Sequence, residues 1–258
     1  MNSLVQVAKN AATVGATVAK SHFNMELCIS TKSDKTDFVT AADRTAQQRV
    51  VEELRKEFPK EQIVGEEDDL PKRPDSTGTC WIVDPIDGTN NFVRGIPFWS
   101  TSVARLKDGE CVAASTVAPL GFGVFVADER ETRQDDQTVS VSDRSDPERC
   151  NAIPTLWWDY ESRDEYSAIC KRITDQFADL KRYGSTQLEL ALLATGKVDA
   201  VITNQQGPAW DTVAGVHLVR QAGGTVTDVH GDTWTYESEG LVASNGAVHE
   251  TALEAVEI

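Results

Sequence analysis

The sequence predicts a mixed fold in which an α+β half precedes an α/β half. Two amphipathic helices come first, over residues 3–22 and 41–58, because their apolar residues recur at helical spacing. Short β-like runs separated by turns follow up to residue 142 and indicate an antiparallel sheet. Beyond residue 145 strands and helices alternate, which is typical of an α/β arrangement. We therefore divide the chain into residues 1–145 and 146–258.

Local patterns define the elements of the first half. In the second helix Val50 and Leu54 lie on the apolar stripe, and Pro59 follows the helix end. The strands are short apolar or alternating runs bounded by turn residues. They are predicted at residues 63–64, 81–83, 100–106, 111–117, 122–127 and 138–142.

Strands and helices of the second half are marked mainly by polar residues and glycines at their ends. Asp211 is placed as the residue that opens a helix, and Asn245 as the cap of the final helix. Gly196 and Gly223 are placed at helix C-termini. The predicted strands are 150–156, 198–202, 225–229 and 241–243, and the predicted helices are 163–178, 186–194 and 212–222.

Acidic residues dominate the charge of the chain. Its 258 residues include 41 Asp and Glu against 25 Lys and Arg, a formal net charge of −16. Such a surface repels nucleic acid and anionic membranes, so neither is an expected partner. No apolar run approaches the ~18 residues of a membrane span. The acids are scattered, as in proteins of a high-salt cytoplasm, so we hypothesise a halophilic source and expect the melting temperature to rise in molar KCl.

The cysteines indicate a reducing compartment. There are five, at positions 28, 80, 111, 150 and 170, and this odd number shows no paired spacing. Disulfides belong mainly to oxidising compartments, where cysteines are usually paired. Residues 1–20 also lack the basic start and apolar centre of a signal peptide. We therefore expect a cytoplasmic protein.

The segment after the apolar run at residues 81–83 carries the main functional signal. Asp84 and Asp87 lie three residues apart, followed by Gly88 and Thr89. A proline between the acids stops regular strand pairing, and Gly88 permits a backbone conformation that other residues avoid. Two carboxylates beside free amides are suited to holding hard cations against a phosphate. The segment therefore predicts a Mg²⁺-dependent phosphatase site.

Two further acids are candidate ligands, Glu66 after a predicted strand and Asp211 at a predicted helix start. Carboxylates without His or Cys favour Mg²⁺ or Mn²⁺ over Zn²⁺. Simpler interpretations stay open at this point. Asp87 could form a turn with Gly88, Asp211 could be only a helix cap, and Glu66 could lie in a charged loop.

Four motifs of the chain, in order and with matching spacing, resemble those of the inositol monophosphatase family. They are residues 37–43 (DFVTAAD), 65–67 (GEE), 84–89 (DPIDGT), and 210–215 with 221–224 (WDTVAG and QAGG). The resemblance covers nearly the whole chain. It implies a layered αβαβα sandwich of the inositol monophosphatase and sugar phosphatase type, with the site between the halves. It also implies a homodimer.

The resemblance further implies a set of metal ligands and catalytic groups. Two or three Mg²⁺ ions per site, with Mn²⁺ as an alternative, would be held by Glu66, Asp84, the carbonyl of Ile86, Asp87 and Asp211. The amides of Gly88 and Thr89 would receive the phosphate. Asp43 and Thr89, acting with Glu66 and Asp87, would activate the attacking water. Lys32 matches a basic residue of a mobile segment that closes over the metals.

The substrate side of the site is expected to include Asp87, Arg182, Gly184, Ser185, Thr186 and Asn204. The favoured function is hydrolysis of a small sugar or inositol phosphate, namely inositol 1-phosphate, fructose 1,6-bisphosphate or both. One alternative is a 3′-phosphoadenosine 5′-phosphate phosphatase, and another is a non-catalytic metal-binding protein on the same scaffold. The family pattern has an acid before the W-D motif that is replaced here by residues 203–208, TNQQGP.

Overall fold

The computed structural model describes residues 3–25, 29–31, 38–67, 70–75, 77–156 and 158–257. Within these ranges there are seven α-helices: α1 Ser3–His22, α2 Ala41–Glu57, α3 Thr89–Val93, α4 Arg163–Gln176, α5 Thr186–Ala194, α6 Ala209–Gln221 and α7 His249–Glu254.

The strands of the first half are β1 Ile29–Thr31, β2 Phe38–Thr40, β3 Gln62–Gly65, β4 Thr79–Asp87, β5 Ser100–Lys107, β6 Glu110–Ala118, β7 Gly123–Ala127, β8 Thr132–Gln134 and β9 Gln137–Val139. Those of the second half are β10 Asn151–Pro154, β11 Asp179–Leu180, β12 Ala200–Thr203, β13 Thr225–Thr227 and β14 Leu241–Ser244.

Two large sheets organise the described chain. One has seven strands in the order β3-β4-β5-β6-β7-β8-β9, in which only the β3–β4 pair is parallel. The other has five strands in the order β11-β10-β12-β14-β13, with β10 parallel to β11 and β12. Strands β12, β13 and β14 pair antiparallel, so this sheet is mixed. The seven strands of the first sheet all lie between Gln62 and Val139, and the five of the second all lie between Asn151 and Ser244.

Helix packing stacks these sheets into five layers. Helices α1 and α2 cover one face of the seven-stranded sheet, and α5 and α6 cover the other. Helices α5 and α6 also contact the five-stranded sheet. Helices α4 and α7 cover the outer face of that sheet. This order is αβαβα, as the family resemblance implies, and it confirms the predicted fold class.

The alternation of side chains along each strand explains how the seven-stranded sheet contributes to a hydrophobic core on each of its faces. Along β4, Trp81 and Val83 pack with α1 and α2, whereas Cys80 and Ile82 pack on the α5–α6 side. Successive side chains of a strand point to opposite faces of the sheet. A continuous apolar run such as that of β4 is therefore buried on both faces. Strand β4 is thus anchored on both faces before it reaches its acidic end.

The structure corrects several predicted bounds. Strand β4 does not stop before its acids but continues to Asp87, with an irregular register between Asp84 and Asp87. The prediction missed β8 because its residues, Thr-Arg-Gln, give no apolar run. Helix α6 begins at Ala209 with Pro208 as its cap, so Asp211 lies inside the first turn and is not the capping residue. Asn245 accepts a hydrogen bond from Val248 N at 3.2 Å, but α7 begins later, at His249.

The described helices contain no stretch that is both long enough and apolar enough to cross a membrane. The four cysteines in the described ranges are all free thiols. Cys28 lies outside those ranges.

The burial of His217 in α6 predicts that the fold loses stability in acid. Burial lowers the pKa of His217 from 6.5 to about 4 because charging it inside the protein is unfavourable. The pKa of His217 is lower in the folded protein than in the unfolded chain. The contribution of neutral His217 to the free energy of unfolding is therefore complete above pH 6.5 and is lost as pH falls towards 4.

We therefore expect His217→Gln to flatten the pH dependence of stability. The wild-type free energy of unfolding should drop by about 2 kcal/mol more than that of the variant between pH 7.5 and pH 5. Urea unfolding at both pH values measures this difference. His230→Gln is the control, since that imidazole is exposed. Equal pH dependence in the wild type and His217→Gln would refute the assignment.

Candidate active site

The acidic end of β4 is buried and held by its neighbour strand. Asp84 is 1% exposed and Asp87 is 8% exposed. Between them, the carbonyl of Pro85 accepts a hydrogen bond from Thr101 Oγ1 at 2.7 Å. Pro85 lacks an N–H, so the strand is irregular here and presents both acids in one region.

Three carboxylates from two elements converge at this place. Oxygens of Asp84, Asp87 and Asp211 all lie within 4.8 Å of one another. Strand β4 supplies the first two, and the first turn of α6 supplies the third. Exposed N–H groups of a helix's first turn favour an ionised carboxylate nearby. Residues more than 120 positions apart in the sequence therefore meet at this cluster.

The start of α5 binds Asp87. Ser185 Oγ donates to Asp87 Oδ2 at 2.6 Å, Gln187 N donates to the same oxygen at 2.7 Å, and Thr186 N donates to Oδ1 at 3.2 Å. Burial raises the pKa of Asp87 to about 6, against the opposing effect of these hydrogen bonds. A cation favours the ionised form, so metal and proton compete for this carboxylate.

Glu66 follows β3, the parallel neighbour of β4. Gly65 pairs with Val83 in that ladder, which brings the next residue, Glu66, alongside Asp84. Glu66 is not part of the 4.8 Å group. Lys72 Nζ donates to the carbonyls of Gly65, Glu66 and Glu67 at 3.0, 2.8 and 2.6 Å, which fixes the backbone of this segment.

Thr89 and Asp43 form a hydrogen-bonded pair beside the acids. Thr89 Oγ1 has two acceptors, Asp43 Oδ1 at 3.4 Å and Ile86 O at 3.0 Å. Asp43 is fully buried in α2. Gly88 precedes Thr89 and has a φ of 91°, a conformation that favours glycine.

The residues predicted for the substrate side have partners within the protein. Ser185 and Thr186 are buried, and both donate hydrogen bonds to Asp87. Asn204 accepts from Trp158 Nε1 and donates to Glu165 Oε2, both at 2.8 Å. Arg182 Nη2 donates to Leu156 O at 2.8 Å. Lys32 lies outside the described residues.

The residues that support this site carry little signal in the sequence. Glu189 Oε1 accepts from Tyr183 N and Gly184 N at 2.9 and 2.8 Å, although its carboxylate is fully buried. Burial raises the pKa of Glu189. Asn91 Nδ2 donates to Tyr183 O at 2.7 Å from the other side of the same loop. The sequence signal for Glu189 is a charged residue within the run Leu188–Ala194, whose other residues are apolar, and this indicates a buried polar contact.

The donor set fits a hard divalent cation. The converging ligands are carboxylate oxygens, with the carbonyl of Ile86 between them in sequence, and no His or Cys belongs to the described group. Oxygen-only sets suit Mg²⁺ or Mn²⁺, whereas structural Zn²⁺ prefers Cys and His. Like charges so close together within a protein repel unless a cation neutralises them.

The acidic cluster beside a glycine turn could hold a divalent cation, as a metal-dependent phosphatase requires. A sequence model of the Inositol monophosphatase family matches residues 1–258. The chain belongs to this family. It is therefore a phosphatase of the phosphoric monoester hydrolase class.

Individual relatives match most of the chain. The chain is 32% identical over 237 residues to a fructose-1,6-bisphosphatase/inositol-1-monophosphatase of Thermotoga maritima, covering 88% of this chain and 86% of the relative. It is 32% identical over 253 residues to a putative Nus factor SuhB of Neisseria meningitidis serogroup B, covering 96% and 95%. The crystal structure of extragenic suppressor protein SuhB from Bartonella henselae superposes with a TM-score of 0.90 at 28% identity, covering 99% of both chains.

Proposed function

We propose that this protein is a Mg²⁺-dependent phosphomonoesterase that hydrolyses a small sugar or inositol phosphate. The observation that carries the proposal is the convergence of Asp84, Asp87 and Asp211 within 4.8 Å, next to Gly88. Inositol 1-phosphate and fructose 1,6-bisphosphate are the substrates we favour, because the Thermotoga relative is named for both activities. The predicted homodimer and the salt-adapted surface stay predictions.

The proposed ligands divide between two ions. Glu66, Asp84 and the carbonyl of Ile86 would hold the first, and Asp84, Asp87 and Asp211 the second. A bound divalent cation supplies charge neutralisation and lowers the pKa of water and of a leaving alcohol. A third ion near Glu66 belongs to the same proposal.

The chain's own groups position the reactants. The Thr89 hydroxyl directs its proton towards Asp43 and Ile86, which leaves its oxygen lone pairs to accept a hydrogen bond from water. Asp43, buried behind Thr89, would be the base: the Thr89 hydroxyl would pass its own proton to Asp43 as it takes one from the water. The N–H groups of Gly88 and Thr89 would donate to the phosphate oxygens and hold phosphorus in line with the water.

The test is phosphate release from three esters, with and without metal. Inositol 1-phosphate, fructose 1,6-bisphosphate and 3′-phosphoadenosine 5′-phosphate are each incubated with the protein in Mg²⁺ or in EDTA. We expect turnover of one or both of the first two, and its loss in EDTA. Turnover of the nucleotide alone would replace the proposed substrate class. Release that is unaffected by EDTA would contradict the metal mechanism.

A further inference from the structure

A buried glutamine links two of the three converging acids. We propose that Gln187 is a positioning residue that sets the separation of Asp87 and Asp211, an inference that rests on the function proposed above. Gln187 lies in the first turn of α5 and is fully buried. Its backbone contacts one acid, and its side chain contacts the helical turn that carries the other.

The backbone of Gln187 holds Asp87. Its N–H donates to Asp87 Oδ2 at 2.7 Å, beside the Ser185 hydroxyl, which donates to the same oxygen at 2.6 Å. Hydrogen bonds from N–H groups to a carboxylate are stronger than those between neutral groups. The orientation of the Asp87 carboxylate therefore follows the position of Gln187.

The side chain of Gln187 holds the first two turns of α6. Its Nε2 donates to the carbonyl of Trp210, and its Oε1 accepts from Gly215 N at 2.6 Å. These two backbone groups lie on either side of Asp211 in the chain. The side-chain amide of Gln187 thus forms hydrogen bonds with α6 on both sides of Asp211 in the chain. The backbone of Asp211 therefore cannot shift independently of Gln187.

The chemistry of this bridge requires an amide. One terminal atom must donate to a carbonyl while the other accepts from an N–H, and a glutamine side chain supplies both at this length. Methionine has a similar size but neither group. The helices also pass close together here: a Cβ at Gly215 would lie 2.6 Å from Leu190 Cβ and 2.9 Å from Gln187 Oε1.

The three carboxylates need a neutral support. Acids whose oxygens lie within 4.8 Å repel one another when ionised, and this repulsion opposes a preformed site. A cationic partner would relieve the repulsion, but it would also compete with the metal. Gln187 carries no charge, so it holds Asp87 and Asp211 together without neutralising either.

The experiment measures Mn²⁺ binding to the intact protein by electron paramagnetic resonance of the free ion. We expect Gln187→Met to raise the Mn²⁺ dissociation constant about tenfold and to raise the Mg²⁺ concentration for half-maximal turnover more than it lowers kcat, in line with the effect of outer-shell partners. Leu192→Met, a buried change in the same helix, is the control, and its dissociation constant should stay within about twofold of the wild type.

The outcomes separate this inference from the proposed function. Equal Mn²⁺ affinity in Gln187→Met and Leu192→Met would overturn the positioning role while the metal site stands. A wild type that binds no Mn²⁺ would overturn both. Circular dichroism first establishes that each variant is folded. If Gln187→Met does not fold, Gln187→Asn replaces it, because the asparagine amide is one methylene too short to reach both helix groups. Its Mn²⁺ dissociation constant is then compared with that of Leu192→Met, with the same expected and contradicting results.

Discussion

Asp84→Asn is expected to reduce Mg²⁺-dependent phosphate release by at least about a hundredfold. Loss of outer-shell partners alone costs metal sites about 10- to 100-fold, and Asp84 is proposed as a direct ligand of both ions. Asparagine has almost the same shape but no charge, so the change tests the carboxylate and not the packing. Initial rates over a range of Mg²⁺ concentrations measure the effect.

The fold should survive this change. Without metal, Asp84→Asn removes one of three neighbouring negative charges, so the melting temperature in EDTA should equal or exceed that of the wild type. Asp143→Asn, in an exposed loop, controls for the loss of one charge. A folded Asp84→Asn protein that retains wild-type Mg²⁺-dependent turnover would remove the two-metal assignment.

Gly88→Ala is expected to damage both stability and turnover. At a φ of 91° any side chain is strained, and here a Cβ would lie 3.0 Å from Gly184 O and 3.1 Å from Phe98 O. Both obstacles are backbone atoms, so either the loop before α5 or the turn after β4 must move. We expect a loss of about 2 to 4 kcal/mol in the free energy of unfolding and at least about a tenfold drop in kcat.

Gly78→Ala provides the matched control for this prediction. Gly78 has a φ of 92°, but an added Cβ would meet nothing within 4 Å. Its loss of stability should therefore reflect backbone strain alone, about 1 kcal/mol, with turnover unchanged. Denaturant unfolding and initial rates on both variants separate strain from contact. Similar effects at the two positions would show that the carbonyls around Gly88 do not matter.

The sequence predicted the acids of the site because their signals are local. Asp84 and Asp87 follow a buried apolar run, and Asp211 lies in the first turn of a helix whose start was misplaced by only a few residues. The parallel β3–β4 register that brings Glu66 beside Asp84 was not predictable from periodicity. The layer order came from the family resemblance, since hydrophobic patterns do not specify which elements stack.

The contacts between distant segments were beyond local patterns. Ser185 and Gln187 bind Asp87 across 98 and 100 positions of sequence, and no propensity encodes such a pairing. Asn204 was assigned to the substrate because it stands where relatives have an acid, yet its amide is engaged by Trp158 and Glu165. These partners lie 46 and 39 positions away in the sequence, so no local pattern predicts them, and the substrate contact of Asn204 stays a prediction.

The most direct test of the metal site is an anomalous difference map from a crystal of this protein grown with Mn²⁺. We predict a peak within about 2.5 Å of carboxylate oxygens from Asp84, Asp87 and Asp211, with no comparable peak in a crystal of Asp84→Asn. A wild-type map without a peak at these three residues, in crystals that bind Mn²⁺ elsewhere, would contradict the proposed active site.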